Sequence, residues 1–458
     1  MRRESEFRYS KLAHILREQI LSGYIKPGEF LLSENELCRY YGISRTSVRK
    51  SLEQLQKEGL IIKKVGQGTI VSPDLVIPES ATKVIRIMAP APSHYVDHCL
   101  PIIIEAFKRK YPNVEVRLLS FPSTNFRESM RTAMELGHAP HLLIVTDRQF
   151  DELNQFASFA SLQDRFQGTL DAMYPRLVEG FRRDGEVKAM PATFSPVYLA
   201  YNARLFAEQG IPRPEPDWTL SDFLSAAKRL TLDTDADGIT NQYGLLFSSS
   251  SSRWPVIALQ NGYHFQPGSS REALVRTLDF IHNAVYRERS VTLCQPSYGA
   301  NSKAFVYEKT AMVLTTAIEA AGWAADLSFE PQIAPLPFGP EKASLLVANG
   351  FMIPTHCPDF DLTAQFLETA LDPELQVELA KTTSFLSCLT VNDQVCEEED
   401  LRALNIVGDQ IINCHYLSDM FEDPMLIGEL EAEMELFWTG LESADSFADR
   451  MIRIIAGT

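Results

Sequence analysis

Apolar positions recur at helical spacing early in the chain, and from about residue 84 they give way to short apolar runs alternating with amphipathic stretches. Between Ser33 and Val71 the pattern is dense. Ser33 and Glu36 have the spacing of a capping box, which opens a helix that Gly42 breaks. A second helix starts at Ser44: Val48, Leu52 and Leu55 make its apolar face, and Arg45, Thr46, Arg49 and Lys50 fall elsewhere. After Gly59, Leu60-Ile61-Ile62-Lys63-Lys64-Val65 and Thr69-Ile70-Val71 flank Gly66-Gln67-Gly68, which predicts two short strands around a glycine turn. Helix, turn, helix and two-stranded wing thus follow one another in a single short run.

The pattern then changes. Val84-Ile85-Arg86-Ile87-Met88 predicts a strand, followed by a helix over Leu100 to Tyr111, a strand over Val114 to Leu119, a helix over Phe126 to Leu136 and a strand over Leu142 to Thr146. This alternation predicts an α/β fold with a parallel sheet covered by helices. Such sheets take ligands beyond the carboxyl ends of their strands, which puts the Ala89 to Tyr95, Phe121 to Asn125 and Thr146-Asp147 loops on one edge.

The outward set on the second helix has the chemistry of a DNA reader. Arginine can present a bidentate fork to guanine, while a helix N-terminus and the Thr46 and Ser47 hydroxyls can take phosphate. The run from Tyr9 to Val71 contains Ile20-Leu21-Ser22-Gly23, Lys26-Pro27-Gly28-Glu29, Arg45-Thr46-Ser47-Val48-Arg49 and Gly66-Gln67-Gly68-Thr69. On those motifs it resembles the GntR family of bacterial transcription regulators. The resemblance implies that Arg45 and Arg49 read bases, Thr46 and Ser47 hold the backbone, and Gly66 at the wing approaches the minor groove, with Ser33, Glu34, Lys50 and Gln67 also among the DNA-binding residues. Leu32 departs from the usual proline before Ser33-Glu34, and Asn35 stands where some members carry a base-contacting arginine. A winged helix serving only as a protein-protein module is the competing reading, and the basic outward face weighs against it.

Charge divides the chain in the same place. Residues 1–75 carry 13 Lys and Arg against 9 Asp and Glu, leaving 30 against 51 for the remainder. Only the head suits a polyanion, and an acidic body would orient it toward one. The length of 458 residues exceeds one ordinary domain. The amino terminus has no apolar run of a signal peptide, and no segment approaches a membrane span, so a cytoplasmic location is expected. Seven scattered cysteines lack the close pairs of a zinc site or disulfide scaffold and read as reduced, mostly buried residues.

Further along come Gly185-Glu186-Val187-Lys188-Ala189-Met190-Pro191, Tyr198-Leu199-Ala200-Tyr201-Asn202, Gly210-Ile211-Pro212, Asp217-Trp218-Thr219 and Tyr243-Gly244. They are followed by Phe305-Val306-Tyr307-Glu308-Lys309-Thr310-Ala311-Met312-Val313, Pro335-Leu336-Pro337 and Asn349-Gly350. In order and spacing these resemble the extracellular sugar-binding proteins that feed ABC transporters, family 1 of the solute-binding proteins. The resemblance covers about residues 84 to 458. It implies a two-lobed type II α/β clamshell crossed near residues 189–196 and 333–340. The expected organisation is a head over 1–75, a linker over 76–83 (with Pro73 and Pro78 stiffening the stretch Ser72 to Lys83) and a sensing body over 84–458.

A saccharide site needs aromatic platforms with amides and carboxylates. The candidates are Tyr95, Thr146 and Asp147 at strand ends, and Phe194 and Ser195 at the first crossing. Trp254, Thr316, Glu319 and Trp323 come from the second lobe, and Asn349 from the return. Core packing competes with a platform role for Trp254 and Trp323, and is favoured for Trp218 and Trp438. Ser195 stands where a relative uses a carboxylate, and Ile318 where an aromatic platform is expected.

Asp233-Thr234-Asp235-Ala236-Asp237-Gly238 has the alternate carboxylates of a calcium loop, but Gly244 occupies the place of its closing glutamate, and a capped surface turn is the preferred reading. Ser248 to Ser252 suggests a hinge or cleft loop. The expected partners are double-stranded operator DNA and a sugar effector, with a homodimer, no cofactor, no metal and no catalysis. The alternative is a pyridoxal-phosphate, aminotransferase-like or other enzymatic body, although Thr382-Thr383-Ser384-Phe385-Leu386-Ser387 has no lysine where a Schiff base would need one.

Overall fold

The computed structural model describes residues 12–457 apart from 18, 22–24, 42–43, 65–67, 76–82, 124–125, 136–139, 155–157, 295–301, 324–325, 422 and 424. They divide into two compact units, one of Met1–Val145, Glu152–Ser161 and Phe351–Asp372, the other of Thr146–Asp151, Leu162–Gly350 and Pro373–Thr458.

After helical residues at 12–17 and 19–21, the first unit carries α1 (Glu34–Tyr41), α2 (Arg45–Lys57), β1 (Ile61–Lys64) and β2 (Gly68–Val71). The capping box at α1 is reciprocal: Ser33 N donates to the Glu36 carboxylate at 2.8 Å, and Glu36 N donates to Ser33 Oγ at 3.3 Å. Ser44 caps α2 by accepting from Ser47 N at 3.2 Å. β1 and β2 pair antiparallel, closing on Lys64 and Gly68. Leu12, Leu16, Ile20, Leu37, Val48, Leu52, Leu55, Ile61 and Val71 share one core, so the helical stripe Val48, Leu52, Leu55 faces inward as its spacing predicts. The expected break at Gly42, the wing tip at Gly66 and Gln67, and most of the linker lie outside the described residues.

The same unit continues with β3 (Lys83–Ala91), α3 (Leu100–Lys110), β4 (Val114–Pro122), α4 (Phe126–Glu135) and β5 (Leu142–Thr146). The strands are parallel in the order β4-β3-β5, with Ile87 opposite both Leu118 and Leu142. β3 and β4 run further than the apolar pattern suggests, through Pro90 and Pro122. A proline cannot donate to the ladder, but at the end of a strand its carbonyl still accepts.

The second unit opens with the start of α5 (Asp147–Asn154) and carries β6 (Met190–Pro196), β7 (Tyr198–Tyr201), β8 (Tyr243–Ser248), β9 (Val291–Cys294), β10 (Thr310–Thr315), β11 (Gln332–Ala334) and β12 (Ser344–Met352). One sheet has the order β9-β8-β10-β7-β11, while β6 lies between Leu386–Ser387 and β12 in another. Only Val197 separates β6 from β7, so the chain passes between sheets there, and it returns between β11 and β12. Two helices flank this sheet's strands: α6 (Leu220–Arg229), which packs on β8, and the short α7 (Ala317–Ala320) after β10. The core gathers Phe206, Phe223, Trp254, Phe265, Phe338, Phe437 and Phe447. No helix among the described residues is long and apolar enough to cross a membrane.

Candidate functional site

Two groups of side chains carry candidate chemistry. In the head, Arg45, Thr46, Arg49 and Lys50 are exposed on α2, because the buried stripe at Val48, Leu52 and Leu55 turns the opposite face outward. Arg45 and Arg49 keep 58% and 53% of their side-chain area open. Their Nε atoms donate to one oxygen of Glu34, at 3.1 and 2.9 Å. Burial acts to raise the Glu34 pKa, but the hydrogen bonds from Arg49 and Arg45 outweigh it and hold the carboxyl below its ordinary value. Ser33 is exposed and capped into α1. Ser47 differs from expectation: it is buried, and its hydroxyl lies 3.0 Å from that of Ser44. One residue off the exposed arc, its side chain serves the helix start.

In the second unit, the carboxyl end of β5 delivers Thr146 and Asp147. Thr146 Oγ1 accepts from Gln149 N at 3.2 Å and Gln149 Oε1 accepts from Thr146 N at 3.1 Å, so Thr146 caps α5. Asp147 Oδ1 accepts from Ala348 N at 3.1 Å, beside Asn349 on β12. Burial lifts the Asp147 pKa to about 6 against the pull of that amide and of Arg148. The fully buried Tyr416 is raised well above its ordinary value, first by burial and then by Asp147, and its hydroxyl has no hydrogen-bond partner among the described residues.

A second network joins Ser195, Thr316 and Glu319. Ser195 Oγ accepts from Ala317 N at 2.8 Å and donates to the Pro196 carbonyl at 2.7 Å, fixing β6 to α7. Thr316 caps α7 by accepting from Glu319 N at 3.2 Å. Glu319 takes Arg253 Nη2 at 2.9 Å, Ser302 Oγ at 2.5 Å and Thr315 Oγ1 at 3.2 Å. Arg253 and Glu319 keep only 10% and 15% of their side-chain area exposed. Arg253, Ser302 and Tyr416 escaped sequence reasoning. Arg253 had one available signal, a lone cation between the Ser248 to Ser252 run and Trp254.

The aromatic candidates are placed otherwise. Phe194 is fully buried against Tyr174, with ring centroids 5.3 Å apart. Trp254 is 2% exposed, with Phe265 and Trp438 around it at 5.5 and 6.4 Å, so the platform reading gives way to core packing. Trp323 is likewise buried, 5.3 Å from Phe305. Tyr95 belongs to the first unit, buried 6.2 Å from Phe351. What remains are hydroxyls, the carboxylates of Asp147 and Glu319 and the Arg253 guanidinium, a polar set suited to hydroxyl-rich ligands. At the aspartate loop, Asp233 accepts from Gly238 N at 2.7 Å and Asp237 accepts from Ile239 N at 2.7 Å, the bonds of a self-capped turn.

Residues 103–402 match the family described as bacterial extracellular solute-binding proteins, and residues 8–71 match the bacterial regulatory proteins of the gntR family. Among similar proteins, the arabinose metabolism transcriptional repressor of Geobacillus stearothermophilus is 29% identical over 128 residues, 28% of this chain and 34% of the relative. The mannosyl-D-glycerate transport/metabolism system repressor of Escherichia coli is 38% identical over 68 residues, 15% of this chain and 28% of the relative. The chain thus spans about a third or less of the length of the curated relatives it matches. Among solved structures, an ABC substrate-binding protein of Listeria monocytogenes in complex with cycloalternan aligns with a TM-score of 0.65 at 18% identity, covering 82% of this chain and 98% of that one. The maltose/maltodextrin-binding domain of Bdellovibrio bacteriovorus bound to maltotriose aligns with a TM-score of 0.67 at 15% identity, covering 82% and 99%. These likenesses show the fold of the body.

Proposed function

Since the chain belongs to the bacterial extracellular solute-binding protein family and carries a gntR-family head, we propose that it is a transcription regulator whose operator affinity is set by a sugar or oligosaccharide held in its body. The genes it would control are those of carbohydrate uptake or breakdown. The observation that carries this is the joining, in one chain, of an exposed arginine pair on α2 to a solute-binding fold. The relatives' names point the same way, since two are repressors of sugar or sugar-acid metabolism and two structural neighbours hold oligosaccharides. The working form is a cytoplasmic homodimer on a twofold operator, because one recognition helix covers too little DNA for a specific site. Head 1–75, linker 76–83 and body 84–458 are the functional parts.

A sugar can alter operator affinity only through unequal affinity for two states of the protein, and opening and closing of a two-lobed body supplies such a pair. Coupling of about 1–3 kcal/mol is the ordinary range for such devices. The test is reciprocal. Calorimetry against mono- and oligosaccharides should find a binder, and gel shifts should then show operator affinity changing by the same factor by which operator DNA changes sugar affinity. Arg45→Ala and Arg49→Ala should each weaken operator binding by about 1–3 kcal/mol and relax base preference. Tight sugar binding that leaves operator affinity untouched would sink the regulatory mechanism.

A further inference from the structure

Glu34 is an acidic side chain on the face that presents Arg45 and Arg49, and its carboxylate is only 25% exposed. A single oxygen, Oε2, receives both guanidinium groups, each through Nε, at 3.1 and 2.9 Å. A guanidinium carries five N–H donors, and its two terminal nitrogens are the pair that forks onto guanine O6 and N7. Donating Nε to Glu34 leaves those terminal nitrogens for another partner. The arginines are four residues apart on α2, so they rise from one face, and Glu34 reaches them from the first residue of α1. Holding two long side chains in place before DNA arrives lowers the ordering cost of binding. A negative charge on the same face repels phosphate, which weakens contacts that do not satisfy the arginines at base edges.

We infer that Glu34 is a positioning and specificity-determining residue of the head: it holds Arg45 and Arg49, instead of touching DNA, so that their terminal nitrogens meet base edges together. This role rests on the reading of the head as a DNA-binding module.

The test uses the full-length chain. A duplex selected from a randomised pool by the wild type is compared with a scrambled duplex of the same composition, for wild type, Glu34→Ala and Glu34→Gln. The ratio of the two affinities should fall about tenfold for Glu34→Ala. It should fall less for Glu34→Gln, whose amide oxygen can still accept from both Nε–H groups but lacks the charge that strengthens those bonds. Base preference should flatten at the positions that Arg45→Ala and Arg49→Ala also flatten, with affinity for the scrambled duplex unchanged or raised. The thermal midpoint and circular dichroism of Glu34→Gln verify folding. An unchanged ratio in a folded variant, or equal loss of affinity for both duplexes, overturns the positioning role. A wild type that enriches no sequence overturns the reading of the head itself, and Glu34's role with it.

Discussion

Asp147 stands at the end of β5 with its pKa lifted to about 6 by burial, against the Ala348 amide and Arg148. A sugar hydroxyl donating to this carboxyl would favour its charged form. Sugar affinity should therefore rise with pH through about 6 and level off above it. Asp147→Asn should bind about 1.5–3 kcal/mol more weakly and without that slope, as titration calorimetry on both sides of the transition would reveal. His141 gives a stability signal of different origin. Burial, then Arg86, lower its pKa from 6.5 to about 4, and its Nδ1 accepts from Arg86 N at 3.2 Å, so the folded protein holds it neutral. The unfolded chain takes up a proton near 6.5 and the folded one does not until about 4; stability from this group is present above 6.5 and is lost as pH falls toward 4. His141→Asn offers a non-titrating acceptor, and its denaturation curves should lose that part of the slope. Individual residues were the least legible in sequence. A tryptophan reads the same whether it stacks on a sugar or fills a core, and only the tertiary neighbours Phe265 and Trp438 decide for Trp254.

Elements were read more successfully, because their signals are local. The capping box at Ser33, the start of α2 at Ser44 and the strand Leu142–Thr146 all follow from side chains within a few residues of one another. β3 and β4 were read short at their carboxyl ends, where prolines break the apolar run while the ladder persists. Gly244 shows a non-local constraint that no spacing displays. A Cβ there would come within 2.3 Å of the Ala227 carbonyl oxygen, which is backbone on α6 and cannot swing aside. Gly244→Ala should force α6 from β8 and cost about 2–3 kcal/mol in urea melts, with the head unaffected. The glycine that fails as a calcium ligand is thus a contact point between helix and strand.

At the scale of the whole molecule, the two families were legible from motif order, while the route between their functions was not. Within the first unit, Arg117 on β4 donates through Nη1 to the carbonyl of Leu21 at 2.6 Å and pairs through Nε and Nη2 with Glu115 at 2.9 Å. A side chain of the sheet thereby touches the backbone of the head. Arg117→Ala should leave sugar affinity and ligand-free operator affinity within about threefold of wild type and reduce the coupling between them, measured by gel shift with and without sugar. Leu21 is a helical residue, and a main-chain oxygen deprived of this donor has water as its substitute. The signal from sugar would then be written in the lifetime of the helical turn that carries Leu21. Amide deuterium uptake over residues 12–21 would register the effector as faster exchange, before any change in where the recognition helices stand.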